Sequence, residues 1–258
     1  MLNRRRRWQL VTDVGGDEVA DAGARLVEGK TPPSQRVPLD RNRILAAAIG
    51  FIDERGLRDL TMRRVGAVLG VEAMSLYRYV PGREDMLDGV VESIVGEMYD
   101  DPDVLTSPQE GWEDFLQRLA HGVRRIALAH PGAFPLVASR PTEAPWIRPP
   151  LRNLRWVELF LEGLINEGFS DDAAVEAYRA FTSFLLGHLL LEVSGLGADI
   201  GPLDVLDPHL EEDESLAGYP QIQRLGESLA ENHAANEFEE SLESLLDRLQ
   251  LLLTQSRE

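Results

Sequence analysis

From residue 44 to residue 253 the apolar residues of this chain recur at intervals of three and four, segment after segment, and no run alternates them with polar residues. A period near 3.6 places such residues on one stripe of a helix, whereas a half-buried strand needs a period of two. The spacing predicts an all-α fold. Asp40 is placed to cap a first helix whose stripe is Ile44, Leu45, Ala48, Ile49 and Ile52, closed by Gly56. Thr61 opens a short helix ending near Gly70, with Met62, Val65, Val68 and Leu69 inward and Arg63 and Arg64 outward. A second short helix of about two turns, Ala73 to Tyr79, follows at once and is closed by Pro81 and Gly82. Arg83 to about Tyr99 forms a longer amphipathic helix carrying Met86, Leu87, Val90, Val91, Ile94, Val95 and Met98.

The same pattern continues behind it. One helix carries Trp112, Phe115, Leu116, Leu119, Val123 and Ile126 and is broken by Pro131; another begins after Pro149 and Pro150 and shows Leu151, Leu154, Val157, Phe160, Leu161 and Leu164. A third is capped by Ser170, with Asp171 and Asp172 well placed for the helix dipole. Residues 195 to about 219, with their glycines, prolines and the run Glu211, Glu212, Asp213 and Glu214, read as a long mobile loop. A final helix bears Phe238, Leu242, Leu245, Leu246, Leu249, Leu252 and Leu253. Residues 1–36, with Arg4 to Arg7, read as a flexible basic arm, either a solvated tail or one that follows phosphates or enters a minor groove.

The formal charge of −18 argues at first against a nucleic-acid partner. It is unevenly held. Residues 36–83 carry nine basic and five acidic side chains, residues 84–258 carry 11 and 34. The paired short helices at 61–79 therefore lie in the one markedly basic stretch. Their dimensions suit a helix-turn-helix whose second helix, with Ser75, Tyr77, Arg78 and Tyr79, enters a major groove; an ordinary hairpin inside a bundle has the same spacing. Charge favours the first reading.

Other chemistry finds little support. The absence of cysteine from the 258 residues excludes disulfides, thiolate metal sites and cysteine nucleophiles. The five histidines are dispersed without ligand spacing, so no metal or other cofactor is expected. His188, among Phe184, Leu185, Leu189 and Leu190, is either a polar group in a pocket or a hydrogen-bonded core histidine. The glycines at 195, 197 and 201 have the wrong spacing for a dinucleotide fingerprint and follow a helix. Trp112, Phe115, Trp146, Trp156, Phe160 and Phe181 read as core residues that can also wall an apolar cavity. No apolar stretch follows Arg4 to Arg7 as an export signal requires, and none is long enough to span a membrane, so a soluble cytoplasmic protein is expected.

The run Ile44 to Gly56, then Leu60 to Val65, Leu69 to Val71, Ser75 to Val80 and Arg83 to Met86 resembles the DNA-binding domain of the tetracycline-repressor (TetR) family. The resemblance implies a DNA-contacting set of Thr61, Met62, Arg63, Ala73, Met74, Ser75, Tyr77, Arg78, Tyr79 and Arg83. Within it, Tyr77 and Arg83 fall on phosphate, Arg63 on a base edge or phosphate, and Ala73 and Met74 at base-reading positions. Base readout is then expected to depend on Arg63, Arg78 and apolar contact. More weakly, Trp112 to Leu116 and Arg140, Pro141, Thr142 and Glu143 resemble the regulatory domain of the family's tetracycline-responsive members. The effector residues do not carry over: a magnesium-holding histidine aligns with Leu136, and drug-contacting positions align with Tyr99, Leu119 and Val123. A largely apolar effector is therefore expected, met by Tyr99, Phe115, Leu119, Val123, Leu136, Arg140, Trp156, Phe181 and His188.

These observations imply a DNA-binding domain at 37–83 and a helical effector and dimerisation domain at 84–258. The expected function is a homodimeric repressor on double-stranded, palindromic DNA, released by a small molecule as the helix from 83 to 99 acts as a lever. Dimerisation is expected through the helices near 178–193 and 237–254. The alternatives are a helical small-molecule-binding protein or enzyme whose basic hairpin is incidental, and a non-specific DNA-associated protein.

Overall fold

A computed structural model describes residues 38–104, 106–140, 153–200 and 218–256. The arginines at 4–7 and the rest of the arm, Pro141 to Glu143, Trp146, Pro149 to Leu151, His209 and the 201–217 part of the expected loop lie outside the described residues. Within those described there are ten α-helices, a 3-10 turn at Leu57–Asp59, and no strand. The helices are α1 Arg41–Arg55, α2 Met62–Leu69, α3 Ala73–Leu76, α4 Arg83–Asp100 and α5 Trp112–Ala129. They continue as α6 Pro135–Ser139, α7 Leu154–Asn166, α8 Asp171–Gly195, α9 Pro220–Ala230 and α10 Ala234–Ser256.

Local chemistry sets the starts. Asp40 accepts from Arg43 N–H at 2.8 Å, Thr61 from Arg64 N–H at 3.2 Å, Asn153 from Trp156 N–H at 3.2 Å and Ser170 from Ala173 N–H at 3.3 Å. Each side chain satisfies one of the orphan donors of a first turn.

The apolar stripes assemble two hydrophobic clusters. One joins α1, α2 and α3 to the first half of α4 and to Ile126, Ala133 and Leu136. The other gathers α5, α7, α8 and α10. Val95 and Met98 of α4 and Val137 of α6 pack against both. Helix α4 is thus shared by the two hydrophobic clusters.

Several expectations need correction. Helix α3 has one turn rather than two: Tyr79 and Val80 N–H both donate to the Leu76 carbonyl at 2.9 Å, which tightens the chain into a turn before Pro81. Val68 does not face inward and is 60% exposed. A helix, α9, occupies Pro220–Ala230, just beyond the expected loop and in a stretch with no expected helix, and the last helix begins at Ala234.

Candidate nucleic-acid interface and effector cavity

The α2–α3 turn is built by two glycines. Gly70 adopts φ 69° and ψ 29°, the left-handed conformation that closes α2; its N–H donates to the Ala67 carbonyl and Val71 N–H donates to Gly66 O at 2.9 Å. A Cβ on Gly66 would lie 2.8 Å from the Val71 carbonyl oxygen and 3.3 Å from Ala73 N, so α3 can sit this close to α2 only above a bare Cα. Leu76, fully buried, anchors the inner side of α3. Met74, at 72% exposure, together with exposed Tyr77, Arg78 and Tyr79, forms the outer side.

The expected DNA-contacting residues divide by this geometry. Arg63 is exposed at the start of α2, while its neighbour Arg64 is drawn back onto the 3-10 turn, donating to the Asp59 carbonyl at 2.8 Å. Thr61 is exposed and spends a lone pair on its cap; Ala73 and Ser75 are half-buried. Met62 is the exception, buried at 8% exposure inside the cluster, because the residue after the cap points down between α1 and α2. Arg83 donates from Nε to Leu60 O and from Nη2 to Leu57 O, both at 3.3 Å, fastening the start of α4 to the α1–α2 connection.

Behind this head lies a cavity of about 90 Å³ lined, among the described residues, by α4, α5, α6, α7, α8 and the α5–α6 turn. Of the expected effector residues, Leu119, Val123, Trp156 and Phe181 line it. The others do not. Phe115 is core beneath the wall, and Tyr99 stacks behind Trp156 with ring centroids 4.8 Å apart. Leu136 turns toward α4 and the head, since adjacent helical residues point about 100° apart and Val137 takes the cavity side. Arg140 reaches α4, donating to Glu84 Oε2 at 2.7 Å and to Asp88 Oδ1 at 3.1 Å. His188 shares a hydrogen bond of 3.2 Å with the Ala234 carbonyl and lies edge-on to Phe238, which makes it a packing histidine at the start of α10.

Phe160, one of the aromatics the sequence offers for such a wall, also lines it, and residues not anticipated complete it, among them Tyr178, Thr182 and Asn153. Tyr178 and Thr182 follow the same three-and-four spacing as Phe181 and Leu185, which is the signal that marks them as one face of α8. Burial, partly offset by a hydrogen bond with Thr182, pushes the Tyr178 phenol up to about 12, so it remains a neutral donor. Trp156 Nε1 is buried with no hydrogen-bond partner. Among the described residues no group of three or more histidines or carboxylates could hold a metal ion.

Residues 44–90 match the family described as bacterial regulatory proteins, tetR family, and residues 106–252 match the tetracyclin repressor-like C-terminal domain. The chain is 28% identical over 249 residues to the HTH-type transcriptional repressor DrrR1 of Streptomyces coeruleorubidus, covering 92% of this chain and 85% of that one. It is 27% identical over 217 residues to the class D tetracycline repressor protein of Escherichia coli, covering 84% and 91%. A solved structure of a possible TetR family transcriptional regulator from Streptomyces coelicolor A3(2) superposes with a TM-score of 0.63 at 29% identity, covering 83% of this chain and all of that one.

Proposed function

The chain belongs to the tetracycline-repressor family of bacterial regulatory proteins, and from that premise we propose how its residues divide the work of a ligand-responsive transcriptional repressor. Two copies pair through α8 and α10 and present two α3 helices to successive major grooves of a palindromic operator in the cytoplasm. Exposed Leu191 on α8 and Leu251 on α10 support that pairing, and no helix among the described residues is long and apolar enough to cross a membrane. Tyr77 and Thr61 hold phosphates, Arg63 and Arg78 reach base edges, and Met74 and Ala73 make apolar contact. Arg83 acts by positioning α4.

The observation that carries the regulatory reading is the double-sided placement of α6. Val137 lines the cavity while Leu136 and Arg140, on the same short helix, engage the cluster of the head and α4. An effector that enlarges the cavity displaces α6, and α4 passes the shift to the spacing of the two α3 helices. A helical binding protein without a DNA role has no use for this linkage.

Selection of binding sites from random duplex DNA by the full-length protein tests the reading. Enrichment of one palindrome with half-sites about one helical turn apart is expected. Retention of random DNA without a common sequence at physiological salt would leave only non-specific binding.

A further inference from the structure

Between Thr61 and Tyr79 the chain carries three arginines and a single acidic side chain, Glu72. That glutamate stands in extended backbone, φ −72° and ψ 145°, immediately before the first residue of α3. Its carbonyl accepts Ser75 N–H at 2.9 Å and so starts the helix. Its side chain makes no capping bond, pairs with no cation among the described residues and is exposed. Ala73 beside it is held close above Gly66 and Leu76 is buried, so Glu72 and Met74 belong with Tyr77, Arg78 and Tyr79 to the outer side. The first residues of the second helix of a helix-turn-helix are the ones brought to base edges in the major groove.

A carboxylate in this place works against affinity. Phosphates repel it, while Arg63 and Arg78, both exposed, attract them. A side chain that the fold does not use and that weakens general attachment to DNA gains its use through selection, because a charge brought out of water without a donor penalises every wrong partner. The major-groove edges decide which partner is right. Guanine offers two acceptors, N7 and O6, thymine offers O4 and a methyl group, and adenine offers an amino group beside the N7 acceptor; cytosine alone offers an amino donor with no acceptor on the same base. Carboxylate oxygens only accept. Met74, 72% exposed on the same outer side, brings only a weak sulfur acceptor and does not compete for that amino group.

We propose that Glu72 is a specificity-determining residue of the operator interface: its carboxylate accepts a hydrogen bond from the N4 amino group of a cytosine in each half-site and repels the acceptor edges of the other bases. The proposal rests on the reading of α3 as the helix that enters the major groove. Arg63 and Arg78 supply attraction, and Glu72 makes that attraction conditional on one C·G pair.

Selection from random duplex DNA by the full-length wild type, Glu72→Gln and Glu72→Ala tests it, with helix content checked by circular dichroism. The wild-type consensus is expected to hold a C·G pair at one position of each half-site. Glutamine presents a donor and an acceptor that match N7 and N6 of adenine, so Glu72→Gln should move that position, and no other, to A·T, whereas Glu72→Ala should leave it without preference. In the selected duplex, replacing that cytosine by 2-pyrimidinone, which lacks the amino group, should weaken wild-type binding about tenfold and Glu72→Ala binding by about twofold at most. On poly(dA-dT), which contains no cytosine, Glu72→Ala should bind several-fold tighter than the wild type at equal salt. A wild-type palindrome whose base preferences persist in both variants, or an equal loss on amino deletion in wild type and Glu72→Ala, overturns the proposal and leaves the repressor reading standing. Failure of the wild type to enrich any common sequence removes that reading and the proposal together.

Discussion

Asp53, in the last turn of α1, accepts a hydrogen bond from His130 Nδ1–H at 3.1 Å, and its other oxygen accepts from Gly132 N–H at 3.0 Å and Ala133 N–H at 3.1 Å. One carboxylate of the DNA-binding head thus holds the whole turn between α5 and α6. On its far side His130 faces Glu97 of α4, with Nε2 to Oε1 at 3.3 Å. The α5–α6 turn, which supplies Phe134 to the cavity, is therefore tied directly to α1 as well as through α4.

The Asp53 hydrogen bond, acting against burial and assisted by Glu97, raises the His130 imidazole above its ordinary value. A raised folded value means that protonation stabilises the fold: the contribution is complete below the unfolded imidazole value of about 6.5 and is lost as pH climbs through the folded one. Thermal unfolding of the wild type and His130→Asn should differ most between about pH 5 and 6.5, by about 1 kcal/mol for a pair this accessible, and converge at higher pH. A gap independent of pH would show that His130 contributes packing only.

Gly66→Ala sets helix propensity against space. Alanine gains about 1 kcal/mol within a helix, but the new Cβ meets the Val71 carbonyl at 2.8 Å, a backbone atom held by its own residue's bond to Gly66 O. The clash wins. A net loss of about 1–3 kcal/mol in the head is expected, with α3 displaced. Operator affinity should fall by an order of magnitude or more by fluorescence anisotropy, with the oligomeric state by sedimentation unchanged; full operator affinity would mean that α3 does not need this close approach.

What the sequence made legible was whatever depends on near neighbours. The caps at Asp40, Thr61 and Ser170 and the stripe of α4 involve residues three or four apart, and all stand where the pattern puts them. The cavity was harder. Alignment placed Leu136 and Arg140 beside an effector, but a short helix exposes opposite faces to two partners, and only packing decides which face meets which. Asp53 carries no local signature because its partners lie nearly eighty residues away. Helix α9 carries a three-and-four signal in Ile222, Leu225 and Leu229, although those side chains are exposed in the single chain.

Arg140 is the grip between α6 and α4. Its side chain is largely buried and bonds both Glu84 and Asp88, one turn apart on α4. Arg140→Ala should leave cavity binding intact within about twofold, because no part of it lines the cavity, yet weaken the reciprocal effect of effector on operator. Titrating operator complexes of wild type and variant with a small molecule that releases the wild type from its operator reads this directly. Undiminished release in the variant would assign the coupling to Leu136 and the Asp53 junction instead.

Phosphate and base contacts separate by their dependence on salt and sequence. Tyr77, 43% exposed just past the end of α3, is uncharged, so Tyr77→Ala should lower affinity for every sequence by a similar factor with the salt slope nearly unchanged. Arg63 has no ion-pair partner among the described residues, and Arg63→Ala should reduce the salt slope by about one if it meets phosphate. Reading a base adds a second effect, about 1–3 kcal/mol confined to one position of the half-site. Equal losses across a set of single-base operator variants would place Arg63 on the backbone.

Pairing through α8 and α10 makes a demand on two leucines. Leu191 is 72% exposed and Leu251 is 63% exposed, on two helices that pack together within the chain. Side chains of this size are left in water at little cost singly, but a helix pair that exposes leucine on both members is suited to a second copy related by two-fold symmetry. Leu191→Glu combined with Leu251→Glu would place four carboxylates in such an interface, at several kcal/mol of desolvation and repulsion, while each remains solvated in a monomer. Sedimentation should then show monomers at micromolar concentration with helix content preserved, and operator binding should fall because a single α3 covers a single half-site. A variant that stays dimeric at those concentrations would move the interface to another face, with the exposed stripe of α9 next to be tested by the same substitution.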